Sequence, residues 1–181
     1  YNFQLSVSGV SRPFQAVNPN FVDGGVFSEQ HPDPSNNYSL IYRNDGLGIS
    51  SVNTGFFVMF KQGILQTQDF NYTTPIESRA QDVTTANINE TDVFLQSINK
   101  SGTVLNKWSK IPNTVGQTLN YNDLALNTRD LYSTENLNND GVRIRFPDGN
   151  FGNIPVGLFR LHYRTSAGES FSIQPEDARN V

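Results

Sequence analysis

The chain has 181 residues, 36% of them hydrophobic and 12% aromatic, a formal net charge of −4 at pH 7 and no cysteine. That aromatic content is too high for a disordered chain, and the mild acidity gives neither a basic footprint for nucleic acid nor a polybasic membrane anchor. Without cysteine there are no disulfides, thiol nucleophiles or thiolate metal sites.

The elements read almost entirely as short β segments, each followed by Gly, Asn, Asp or Pro. Residues 1–10 alternate, with Phe3, Leu5 and Val7 on one face and Gln4, Ser6 and Ser8 on the other. Residues 11–37, with Pro13, Pro19, Pro32 and Pro34, read as loop. A short strand over 38–43 ends in Asn44-Asp45-Gly46. The apolar run 56–60 is far short of the roughly 20 residues a membrane-spanning helix needs. With 64–70 it flanks Lys61-Gln62-Gly63 and predicts a hairpin. Residues 73–90 are polar and predict a linker or an extended edge.

Beyond them, 93–98 and 103–111 flank Asn99-Lys100-Ser101-Gly102, a second hairpin signal. Residues 121–127 are the best helix candidate. A strand over 131–134 and one over 142–146 flank an Asn-rich turn ending in Asp140-Gly141. The last pair, 158–165 and 169–173, flanks Ser166-Ala167-Gly168, and Pro175-Glu176-Asp177 predicts a final helical turn. The expected fold is all-β or strongly β-dominated, with antiparallel hairpins in two packed sheets or small β domains and one or two short helices. The expected division is 1–90, β-rich with long loops, and 91–181, a second β-rich domain. The only methionine is Met59, so the chain reads as a fragment of a larger protein.

No catalytic constellation stands out. His31 lies in a Pro-rich loop, and His162 alternates to the face of Arg160 and Arg164, where a surface or interface role is expected. Asp45, Asp140 and Asp148 each precede Gly and read as turn residues. The run from Asn136 to Asp140 resembles the start of a calcium loop, but its twelfth position is Pro147 instead of the required Glu. Neither a cofactor nor a metal site is expected.

Four arginines carry the candidate protein–protein interface. Arg143 and Arg145 alternate with apolar residues on one predicted strand, as Arg160 and Arg164 do on another. Were these strands neighbours, four guanidiniums would share one face, and like charges at that distance need carboxylates. Asp148, Glu169, Asp177 or a second chain would supply them.

The stretch RFPDGNFGNIPVG, residues 145–157, packs three glycines and two prolines between alternating segments. Asp148, Gly149, Phe151, Gly152, Pro155 and Gly157 form a structural corner in this reading: glycines open the backbone, Phe151 tucks the loop onto a sheet, and Pro155 stops pairing. With Phe146, Tyr163, Arg164 and Gly168, these residues resemble the strand–FGDG-x-FG-x-x-P-x-G–strand–YR pattern of the J-like baseplate proteins of contractile-tailed bacteriophages, the wedge subunits of T-even-like phages among them. Pro147 stands where that pattern has Gly. The resemblance implies a non-enzymatic structural virion protein without cofactor. It would be a piece of a tail baseplate wedge, assembled in the host bacterial cytoplasm. It would pair with itself as homodimer or ring and with other wedge proteins, and bind no nucleic acid or membrane. The alternative is a carbohydrate- or receptor-binding β module, which would gather Tyr38, Tyr42, Tyr72 and Trp108 on one exposed face.

Overall fold

The computed structural model describes residues 1–22, 26–32, 38–114, 129–167 and 172–180. It is strongly β-dominated, and the described residues form two compact units, one of 1–64 with 168–181 and one of 65–167. The division falls at Ile64/Leu65 and Ala167/Gly168, whereas residue 90 lies inside a strand.

In the first unit, β1 (Asn2–Val7), β2 (Val10–Val17), β3 (Pro19–Val22), β4 (Val26–Glu29), β5 (Leu40–Arg43) and β6 (Gly55–Gln62) follow in chain order. One antiparallel sheet runs β1-β2-β6-β5, and β3 pairs with β4. Segment 11–37, read from its prolines as loop, therefore holds three strands. Pro13 is tolerated for a geometric reason. The Ala16 N–H donates to the Tyr1 carbonyl (2.9 Å), and ladder alternation then places Pro13, opposite Gln4, at a position that owes β1 no hydrogen bond. On its other side the β2–β6 ladder runs only from Phe14 to Val17, so the missing N–H costs no bond within it.

β6 ends at Gln62 and β7 (Ile64–Tyr72) begins at once, yet the two are not partners. Gly63, at φ 94°, donates its N–H to the Pro13 carbonyl and passes the chain from one sheet to another. The Lys61-Gln62-Gly63 hairpin does not form; the turn signal there is real, but the pairing it suggested is wrong.

The second unit continues with β8 (Ala80–Val83), β9 (Ile88–Ile98), β10 (Val104–Lys107), β11 (Ser109–Lys110), β12 (Leu131–Asn136), β13 (Val142–Arg145) and β14 (Gly157–Thr165). Its sheets run β10-β9-β14-β7 and β11-β12-β13-β8; β9 pairs antiparallel with β10 and β14, and β13 with β12 and β8, while β11 runs parallel to β12. The polar stretch 73–90 thus contains an edge strand, β8. Both hairpins expected here form. Asn99 closes the first by accepting the Ser101 and Thr103 N–H groups on its Oδ1, each at 2.9 Å. The second turns through Asn139 and Asp140, both in the left-handed region.

Inward residues of both sheets make one core: Val93 and Leu95 of β9, Phe159, Leu161 and Tyr163 of β14, Val142 and Ile144 of β13, Tyr132 of β12. Sheets that pack face to face bury alternate residues in this way. Tyr72, Trp108, Phe146 and Phe159 form a ring cluster inside it, with centroids 5.2–6.0 Å apart. The Tyr132 hydroxyl donates to the Val93 carbonyl at 2.7 Å. Burial pushes the Tyr72 phenol up to about 12, despite the nearby Arg79 cation.

Helical structure among the described residues is limited to short 3-10 turns, Asn138–Asp140 and Asp177–Asn180, the second at the helical turn expected after Pro175. The helix expected over 121–127 and most of the strand expected over 169–173 lie outside the described residues.

Candidate assembly surfaces

The four arginines do not share a sheet face, because β13 and β14 belong to different sheets. Each is paired within the chain, with Asp82, Glu135, Asp69 and Asp92 in place of the expected Asp148 or Asp177; Glu169 lies outside the described residues. Arg143 forks onto Asp82, its cross-strand neighbour, at 2.6 and 2.8 Å. Arg145 binds Glu135 diagonally across the β12–β13 pair. Arg160 forks onto Asp69 of β7 at 2.8 Å on both arms. The guanidinium hydrogen bonds hold Asp82 and Asp69 below the usual carboxylate range. These three pairs are partly exposed, so each is worth little on its own.

Arg164 differs. Its side chain and that of Asp92 are both 1% exposed, with Arg164 Nε 3.3 Å from Asp92 Oδ2. A bulge makes the contact: between Tyr163 and Thr165 β14 advances two residues while β9 advances from Val93 back to Ile88. Asn89 also donates its side-chain amide to Asp92, at 3.1 Å. His162 is buried rather than at the surface, with its Nε2 3.0 Å from the Gln96 amide nitrogen.

The corner departs from the sequence expectation at two places, Gly152, which does not take a positive φ, and Phe151. Gly149 sits at φ 95° and Gly157 at φ 102°. Asp148 accepts the Asn150 N–H and side-chain amide, both at 3.0 Å, and these bonds keep its carboxyl below the usual range. Pro155 is buried two residues before β14 starts. Phe151, however, stays exposed instead of tucking onto the sheet. The fastening is Arg129, which donates to the carbonyls of Gly149 (3.2 Å), Asn150 (2.7 Å) and Phe151 (3.3 Å). No sequence signal pointed to Arg129, since its three acceptors are backbone atoms about twenty residues away.

Gly152 lies against the Pro147 ring. A Cβ there would come 2.3 Å from Pro147 Cγ and 3.2 Å from the Arg129 carbonyl. Neither a proline ring nor a backbone carbonyl yields easily, so Gly152→Ala is expected to cost about 1–3 kcal/mol by overpacking. Urea denaturation followed by Trp108 fluorescence will measure it. A loss below about 0.5 kcal/mol would mean that the corner is loose.

The first unit carries a different surface. Cross-strand pairs share a face, so Leu40 and Tyr42 of β5 lie beside Val58 and Phe56 of β6, followed by Phe60, Ala16 and Tyr1. At the β1 end of this face Leu5, Val7 and Phe14 are buried. The β5–β6 end is open. An open groove of about 330 Å³ is lined by Tyr1, Phe3, Tyr38, Leu40, Val58 and Phe60, and the Tyr42 and Phe56 rings meet at 5.1 Å beside it. Tyr72 and Trp108, the other two aromatics considered for a ligand platform, are buried in the second unit's core.

The chain is thus strongly β-dominated and divides into two compact units. All of it, residues 1–181, matches the model of a family described as a domain of unknown function, DUF8360, and the chain belongs to that family. No curated protein and no solved structure matches it.

Proposed function

We propose that the chain is a piece of a phage tail baseplate wedge subunit, a non-enzymatic structural virion protein that associates with itself and with other wedge proteins. The observation that carries the reading is where the residues of the baseplate-like pattern go. Phe146, Tyr163 and Arg164 are buried in the second unit, and Gly149, Gly152 and Pro155 form a corner clamped by Arg129. A pattern spent on holding a bend suits a part whose task is to keep its form against neighbours.

Antibody raised against the chain is expected to decorate the tail end of contractile-tailed particles whose genome encodes it, in electron micrographs. Purified particles that contain none of the chain by mass spectrometry would overturn the reading. A second reading, a carbohydrate- or receptor-binding module, draws on the exposed rings of Tyr1, Tyr38 and Tyr42 in the first unit. It predicts saturable glycan binding that quenches tyrosine fluorescence.

A further inference from the structure

We infer that the open end of the first unit's sheet, β5 with β6, is the surface on which two copies of this chain join. The inference rests on the self-associating part of the proposed function and moves the joint away from the arginines expected to form it. Arg143, Arg145, Arg160 and Arg164 are each occupied by a carboxylate of their own chain. A partner would have to break those pairs to use them.

At the β5–β6 end large apolar side chains gather on one face. Tyr38, Leu40, Tyr42, Phe56, Val58 and Phe60 are each 37–75% exposed. Large side chains carry about 150–250 Å² each when fully open, so these six show on the order of 600 Å² of apolar surface. That equals or exceeds the largest apolar patch of an ordinary monomer, about 300–600 Å². Two such faces pressed together would remove on the order of 1,200 Å², the lower bound for a specific, stable interface.

The occupant follows from the chemistry of the face. None of these six side chains carries a charge, so a charged partner surface would be desolvated against it without compensation. An equally apolar, equally aromatic face matches it, and a second copy presents one. A twofold arrangement lets the same side chains serve on both sides. Packing of this kind sets sheets about 10 Å apart with their side chains interleaved, which suits protruding rings such as Phe56 and Tyr42.

Sedimentation velocity on the full chain over a wide concentration range tests this directly. Wild type is expected to pass from monomer to dimer. Phe56→Glu and Leu40→Glu place a charge at the middle of the contact and should weaken association at least tenfold. Their thermal unfolding should stay unchanged, because both sites are exposed. Arg143→Glu should dimerise as wild type does. Because the chain has no cysteine, Tyr42→Cys adds a single thiol, which should crosslink to itself through a short bis-maleimide.

Dimers that survive both Glu substitutions, or that fail only in Arg143→Glu, would overturn the inference while leaving a self-associating wedge protein intact. A wild-type chain that stays monomeric at every concentration would overturn it as well. Particles lacking the chain would instead remove the baseplate reading, whatever the dimer does.

Discussion

Asp92→Ala is expected to destabilise the second unit by about 3–5 kcal/mol, the cost of leaving a buried guanidinium without its carboxylate. Asp92 and Arg164 are both 1% exposed, so water cannot take over the lost partner without opening the sheet. Asn89 loses an acceptor in the same step, since its amide donates to Asp92. Asp92→Asn keeps the shape but loses the charge and turns one acceptor oxygen into a donor, and should fall between Ala and wild type. The informative variant is the double replacement Asp92→Leu with Arg164→Met. Well-packed apolar residues often match or exceed a buried ion pair in stability, so the double variant should recover most of what Asp92→Ala loses. Urea unfolding followed by Trp108 fluorescence is the appropriate measurement, because Trp108 is the only tryptophan and lies in this unit's core. A single-variant loss below about 1 kcal/mol would mean that the pair reaches solvent.

That pair also shows where sequence reasoning stops. Alternation placed Arg160, His162 and Arg164 together, opposite Phe159, Leu161 and Tyr163. What alternation cannot report is whether the second face is covered, and here His162 and Arg164 are buried. The same limit applies to pairing. Turn chemistry is local, so the turns at Asn99 and at Asn139-Asp140 were legible from their residues. Gly63 carried an equally good turn signal, yet its strands pair elsewhere, β6 with β2 and β5, and β7 with β14. Partner choice depends on burial summed over whole strands, which no three-residue loop encodes. Proline biased the reading in the opposite direction: Pro13 suggested loop, but the end of a ladder tolerates it. The apolar face of the first unit was missed for a related reason. Phe56, Val58 and Phe60 read only as one arm of a hairpin, and their exposure in the folded chain is what shows an open face.

Phe159→Ala should remove about 3–5 kcal/mol from the second unit, the usual loss for truncating a fully buried Phe. Phe159 is 1% exposed and its ring lies 5.2 Å from Trp108, 5.4 Å from Tyr72 and 6.0 Å from Phe146. Truncation therefore breaks three ring contacts and leaves a hole bounded by stiff aromatic walls. Rings of this size cannot collapse into it without moving strands of both sheets, which keeps the penalty near the upper end of that range. Phe159→Leu fills most of the volume and should cost less than half as much. Trp108 fluorescence should shift to the red in the folded Ala variant if water enters the hole, and stay in place in the Leu variant. Phe56→Ala makes the matching control. It also removes a phenyl ring, but from a side chain 75% exposed, so unfolding should change by no more than about 0.5 kcal/mol. Dimerisation should respond in the opposite pattern, weakened by Phe56→Ala and untouched by Phe159→Leu. Equal stability losses at the two sites would mean that the first unit's open face is closed in solution by its own chain, leaving no free surface for a second copy.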